Sequence, residues 1–295
     1  MKTGKWLAII VVPAIIGVCV FSAFGTGRAY SAQIVPEAKN AILNATVQIY
    51  MFSLIRNDGS SNTGDARLTL GEAQQGLDAR HGYYMGHGVG TLVATDQGTL
   101  IVTHDHWGEV LEIADLVEFR DAKGCTLQTT TGLEFRMSIL YRDMGTMVLI
   151  APAGVNLVPA RLGDSSLVSL HTKALITRQN PDGSGSLEVI AAEIKSTENF
   201  KGQEAWRLDT LDGEVLVPGD SGGGVWLDGK LVGNLWARRM KSKLSLDFTQ
   251  PQEEGTRTVY AAQNPAQIQP ALAKALENDA AEISPDANIQ EIGMQ

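Results

Sequence analysis

A single serine, Ser221, stands in the stretch VPGDSGGGVW between Val217 and Trp226, with Gly219 and Asp220 before it and three glycines after it. Glycine takes backbone angles closed to other residues and lets a second molecule approach the main chain, which suits a hydroxyl presented for nucleophilic attack. Pro-Gly-Asp-Ser-Gly is also good turn chemistry between two strands, so residues elsewhere must choose. A serine hydroxyl becomes a useful nucleophile when a base takes its proton, and near neutral pH imidazole is the usual agent. Of the five histidines, His104 and His106 share TLIVTHDHW, where an apolar run ends and polar residues begin. A strand end there can present a side chain from a rigid scaffold. His81 and His87 read as solvated residues in or beside a polar insertion, and His171 has no polar pattern around it. The base needs a carboxylate to fix its tautomer, and Asp143 in YRDMGTMVLIAP opens another β run. Such a trio is weak by itself, since almost any chain of this size contains one.

The elements that must position these residues are short. After a helical PEAKNAILNA, and apart from a polar insertion over 56–84, β runs recur about ten residues apart between Gly, Asp, Asn and Pro. They include TVQIYMFS, TLIVTH, LVEFR, TLQTTT, LEFRMSILY and TMVLIA before the break, then KALITR, LEVIAAEIK, AWRLDTL, GGVWLD, LVGNLWAR and TVYAA. No long amphipathic helix separates them, which excludes βαβ units and predicts an all-β sandwich or barrel. The Pro- and Gly-containing stretch over 151–166 divides the runs into two nearly equal sets. The organisation expected is a first β-barrel over 33–158, a second barrel with a C-terminal helix over 159–279, and a polar tail over 280–295. The helix, NPAQIQPALAKALEND, is expected to pack on the second barrel.

With 44% hydrophobic residues in a 295-residue chain, the sequence supports a sizeable core. A net charge of −9 argues against a nucleic-acid binder, and the largest basic cluster, ARRMKSK at 237–243, reads as a solvated hairpin. Residues 1–32 differ in kind, since Lys2 and Lys5 precede an uncharged apolar run from Trp6 to Phe24. This is an export signal, either cleaved near Ala29-Tyr30-Ser31 or retained as a single-span anchor. Either way the body is expected to be extracytoplasmic, secreted or membrane-anchored and facing outside. The two cysteines are Cys19, inside the apolar run, and Cys125, so stability is expected from packing and not from an intradomain disulfide.

Together GDSGGG around Ser221, TLIVTHDHW and DMGTMVL resemble the trypsin-like (chymotrypsin-fold) serine proteases, especially bacterial members without disulfides. GHGVGTLVA at 86–94 is similar to the strand ahead of the family's histidine, PARLGDSS at 159–166 to its inter-barrel bridge, and LVGNLWA at 231–237 to the strand lining its substrate cleft. The resemblance spans roughly residues 40–275. It implies two six-stranded antiparallel β-barrels, with Ser221 as nucleophile, His106 as general base and acid, and Asp143 as orienting carboxylate. It also implies an oxyanion hole from the N–H groups of Gly219 and Ser221, and a substrate cleft formed by Val215, Trp236, Ala237 and Arg238. The partner implied is a protein or peptide substrate.

Some positions depart from the family pattern. His104, Asp105 and Trp107 stand where the family has other residues, so His104 is an alternative base. An alternative alignment puts Met147 where the carboxylate belongs, which would leave the chain slow or inactive. The implied floor, Val215, argues against Lys or Arg at the cleaved bond, whereas a one-residue shift to Glu214 would reverse that preference. His104-x-His106 has no third ligand in view, so no metal is expected, and the mechanism needs no cofactor. Ile34-Val35 lacks the residues that follow a zymogen's new N-terminus, so no zymogen step is expected. The stretch after the second barrel is too short for a PDZ domain. The competing function is a non-catalytic module that keeps the fold and binds peptides or proteins.

Overall fold

The computed structural model describes residues 34–54, 82–96, 98–105, 113–143, 145–200, 203–211, 214, 216–217, 219–238, 258–263 and 268–283. The apolar N-terminal segment, His81, His106, Val215 and most of the insertion at 56–84 lie outside these residues. Among the described residues no helix is long and apolar enough to cross a membrane.

The first half begins with helix α1 (Pro36–Asn44), whose proline suits the first turn because its missing N–H has no intrahelical partner there. Strand β1 (Thr46–Leu54) then alternates: Val47, Ile49 and Met51 enter the core, while Gln48, Tyr50 and Phe52 occupy the opposite face. Strand β2 (Gly82–Thr95) pairs antiparallel with β1, and β3 (Gly98–Thr103) pairs with β2. Strands β4 (Leu116–Arg120) and β5 (Thr126–Thr131) extend the sheet beyond β1.

The expected strand LEFRMSILY divides. Gly132–Met137 forms helix α2, and only Ile139–Asp143 forms a strand, β6. A capping box drives the change: Glu134 N–H donates to Thr131 Oγ1 at 3.2 Å, and Thr131 N–H donates to Glu134 Oε2 at 3.0 Å. Phe135 on this turn is buried with its ring centroid 5.9 Å from that of Phe119. Strand β7 (Thr146–Ile150) completes a seven-stranded sheet in the order β5-β4-β1-β2-β3-β7-β6. Where the sequence predicts six strands, the first half therefore has seven, and its edge strands β5 and β6 are successive and joined by α2.

The second half is a closed six-stranded barrel, as expected. Its strands are β8 (Lys173–Gln179), β9 (Leu187–Phe200), β10 (Gln203–Thr210), β11 (Gly224–Leu227), β12 (Lys230–Arg238) and β13 (Thr258–Gln263), in the order β10-β13-β12-β11-β8-β9. The linker joins the halves by hydrogen bonds to each: Ala160 N–H donates to Leu92 O at 2.8 Å, and Gly163 N–H donates to Leu231 O at 2.8 Å. An apolar cluster fills the seam, with Val93, Val102 and Val148 from the first half against Val189, Trp226 and Leu231 from the second.

Helix α3 (Ile268–Ile283) packs elsewhere than the sequence suggests. Ala271, Leu272 and Ala275 are buried in the seam cluster beside Leu140 and Val148, and the helix contacts β6 and β7 of the first half. Small alanines allow this close approach, and Lys274 Nζ lies 5.6 Å from the Tyr141 ring centroid. Cys125 is an exposed free thiol.

Candidate active site

Ser221 lies in the turn leading into β11, half-buried, where the second barrel meets the first sheet. Its carbonyl accepts a hydrogen bond from Val89 N–H of β2 at 3.0 Å. The neighbouring glycines explain the composition of this stretch. Gly219 and Gly222 have φ of +106° and +85°, in the region that L side chains rarely occupy. A Cβ on Gly222 would lie 2.0 Å from Val89 O and 2.4 Å from Thr103 Oγ1, so the serine turn packs directly on the middle of β2 and the end of β3.

Asp220 holds the turn from below. Its buried carboxylate accepts from Gln179 N–H at 2.7 Å and from Val217 N–H at 2.6 Å. Bonds between a carboxylate and backbone N–H groups are among the stronger ones in proteins. The Gln179 side chain continues into the first sheet, with Nε2 donating to Gln48 Oε1 at 3.1 Å. Gln48 Nε2 in turn donates to the carbonyls of Asp121 and Gly185, each at 2.9 Å. The alternation of β1, which puts Ile49 in the core, is what aims Gln48 at this seam.

The other predicted positions are less fully described. His106 and Val215 fall outside the described residues. Asp143 ends β6 and pairs in register with Thr146 across a turn in which Gly145 has φ of +97°. Trp236, Ala237 and Arg238 form the end of β12. Met147 is fully buried in the core of the first sheet with Ile49, Phe119 and Leu149, so it is a packing residue. His104 is buried at the end of β3 with Nδ1 3.6 Å from Asp105 Oδ1. Glu214 is engaged by Arg178, whose Nη2 donates to Glu214 Oε2 at 2.8 Å while Nε donates to Glu188 Oε1 at 2.8 Å. Arg178 thus shares its one charge between Glu214 and Glu188, and the Glu214 carboxylate already has a cationic partner.

Three residues that the sequence does not single out belong to this region. Asn234 on β12 is buried, and its Nδ2 lies 3.3 Å from Thr103 O and 3.5 Å from Gly145 O, so one amide ties the second barrel to the end of β3 and to the β6–β7 turn. Thr146 opens β7, buried on the side that also carries Val148 of the seam cluster. His87, read as a solvated loop residue, belongs to β2 instead. Its ring stacks on Tyr50 directly across the strand pair, with centroids 4.9 Å apart and planes 11° apart. The spacing of GHGVG carries a signal: in a strand His87 and Val89 share a face, and Val89 meets the serine turn.

Charge around His87 is organised by the same face. Burial, followed by the Arg120 charge, lowers the His87 pKa below its ordinary value. The Tyr84 hydroxyl is hydrogen-bonded to His87 Nδ1, and burial, then the nearby Tyr50, raises the Tyr84 pKa to about 12. Arg120 lies over the Tyr50 ring at 4.2 Å and pairs with Glu118 at 3.0 Å. Among the described residues no group of three or more His, Cys, Asp or Glu side chains is arranged to hold a metal ion.

No protein-family model and no curated protein matches the sequence. Among solved structures, the HtrA-type protease AlgW bound to a decapeptide aligns with a TM-score of 0.51 at 16% identity, over 83% of this chain and 67% of that one. AlgW bound to a tripeptide aligns with a TM-score of 0.51 at 16% identity, over 81% of this chain and 61% of that one. The active form of the Rv3671c protease from M. tuberculosis aligns with a TM-score of 0.49 at 13% identity, over 80% of this chain and 82% of that one. The chain spans about two thirds or less of the length of the AlgW structures. It shares the fold of the AlgW structures, the chymotrypsin-like arrangement of two antiparallel β halves with a C-terminal helix, with no disulfide among the described residues.

Proposed function

We propose that the protein is an exported, trypsin-like serine endopeptidase that hydrolyses peptide bonds through an acyl-enzyme. Ser221 is the nucleophile, His106 the general base and then acid, and Asp143 the carboxylate that orients His106. The observation that carries this reading is the setting of Ser221: a hydroxyl in a positive-φ glycine turn, braced from below by a buried carboxylate and pinned by its carbonyl to the first half of the fold.

In the first step His106 takes the Ser221 proton as Oγ attacks the peptide carbonyl, and the carbonyl π electrons move onto oxygen. The N–H groups of Gly219 and Ser221 donate to that oxyanion, and each such donor is worth on the order of 3 kcal/mol of barrier. Collapse expels the amine, which takes the proton from His106 and leaves an acyl ester on Ser221. Water, deprotonated by His106, then attacks the ester and regenerates the hydroxyl. Val215, Trp236, Ala237 and Arg238 form the substrate cleft, and an apolar floor favours uncharged side chains at the cleaved bond. The body faces the outside of the cell, either free after signal cleavage or held by the segment over 1–32.

The test is labelling of the full-length protein by a fluorophosphonate probe beside Ser221→Ala, with hydrolysis of an unfolded protein substrate in parallel. The expected result is labelling and hydrolysis by the parent and neither by the variant. Asp143→Asn should lower the rate roughly ten-thousandfold if Asp143 orients the base. A folded parent that neither labels nor hydrolyses would overturn the protease and favour the peptide-binding module.

A further inference from the structure

The serine turn meets the first sheet along Val89 and Thr103, on which Gly222 packs, and also at His87. Val89 N–H holds the Ser221 carbonyl, whereas Gly219 is met by the edge of the His87 imidazole. A Cβ built on Gly219 would lie 2.2 Å from His87 Nε2 and 2.7 Å from Cε1, so the ring already fills the space a side chain would take. The ring is backed by the stack on Tyr50 and tethered at Nδ1 by the Tyr84 hydroxyl. Tyr50 is itself fixed by its hydroxyl, which donates to Gln48 Oε1 at 3.2 Å, and by Arg120 above its ring. Gln48 accepts from Gln179, whose N–H holds the Asp220 carboxylate. One continuous polar chain therefore supports the serine turn from beneath while His87 supports its Gly219 end.

We propose that His87 is a positioning residue for the oxyanion hole, a wedge that keeps the Gly219 peptide in the φ-positive state from which its N–H faces the reacting carbonyl. The proposal rests on the reading of Gly219 and Ser221 as oxyanion donors. A glycine with no side chain is otherwise free to rotate about φ, and a donor gains its catalytic value from being oriented before charge develops. The stacked ring supplies that orientation without a covalent or hydrogen-bonded tie.

The wedge depends on the ring's charge. The groups that face it are Tyr50 on β1, Tyr84 on β2, and Arg120 with Glu118 on β4, and from the serine turn it meets the uncharged Gly219. Burial and Arg120 both disfavour the imidazolium, so at neutral pH the ring is neutral and packed. A Tyr84 hydroxyl that donates to Nδ1 leaves the neutral ring's proton on Nε2, toward Gly219. Protonation in acid adds a cation to a half-buried stack already facing Arg120, which weakens the packing of the ring against Gly219.

The experiment measures fluorophosphonate labelling rates and kcat and KM for the full-length parent, His87→Ala and His87→Phe, from about pH 5 to about pH 9. Circular dichroism and thermal unfolding establish that each variant is folded. At pH 8, His87→Ala should label roughly tenfold to a hundredfold more slowly, through kcat and not KM. His87→Phe keeps a ring in the wedge and should recover most of the rate. Its acidic limb should also be shallower than the parent's, since one of two titrating imidazoles is gone. Labelling of His87→Ala at the parent's rate would overturn the proposal while leaving Ser221 as nucleophile, as would a His87→Phe as slow as His87→Ala. Absence of labelling in the folded parent would overturn the nucleophile assignment and this proposal with it.

Discussion

Two glycine-rich stretches, Gly86 to Gly90 on β2 and Gly219 to Gly224 in the serine turn, look alike in composition and dock against each other, yet their glycines answer to different constraints. On β2 the backbone stays extended and in register with β1 and β3, and Gly90 is needed because Ile101 Cγ2 occupies the space of its Cβ, at 2.6 Å. In the serine turn Gly219 and Gly222 are needed because φ is positive, and a Cβ would also meet the His87 ring at Gly219 and the Val89 carbonyl at Gly222. A glycine forced by packing can be replaced if a neighbour yields. A glycine forced by its own backbone cannot, and that is why the turn can aim N–H groups while the strand can only support them.

That contrast predicts an order of effects in alanine series, read from urea unfolding midpoints of the full-length protein. Gly222→Ala should be the worst, costing about 3 kcal/mol or more, because both its φ and the Val89 carbonyl oppose a Cβ. Equal tolerance of Gly222→Ala and Gly90→Ala would break the comparison. Asp220→Asn should cost about 2 kcal/mol, since an amide presents one acceptor to two backbone donors and loses the charge. Gly90→Ala should cost about 1 to 2 kcal/mol, the overpacking of one flexible isoleucine methyl.

The pH dependence at His87 is a smaller effect. Its folded pKa is depressed, so the unfolded chain binds the proton more readily. The stability that the packed neutral ring contributes is therefore present above the ordinary value of 6.5 and is lost as pH falls through the folded pKa. In His87→Phe this part of the stability profile should flatten. Gly86→Ala should be smallest, within about 0.5 kcal/mol, because nothing lies within 4 Å of a Cβ there.

The strands were legible because short apolar runs such as TVQIYMFS and TLIVTH are bounded by Gly and polar residues, and both are buried along most of their length. LEFRMSILY misled because its apolar spacing suits a strand, while the decisive feature was the Thr131 and Glu134 pair that caps a helical turn. Helix α3 was legible as a helix and misplaced, since its alanine face does not say which neighbour is flat enough to meet it. At the site, the serine turn was legible because glycine and aspartate are chemically specific there. His87 and Asn234 were not, because an ordinary strand residue acquires its role only from the strand it is brought against.

The sequence by itself determined the β architecture, the division near residue 160, and the turn that carries Ser221, because alternation, Pro and Gly punctuation and turn chemistry are local properties of the chain. Tertiary structure alone decided that Asp220 holds the turn through Gln179, that Asn234 ties together the ends of β3 and the β6–β7 turn, and that His87 rests on Gly219. Those contacts join residues far apart in sequence, and their geometry exists only once the two halves pack across the seam.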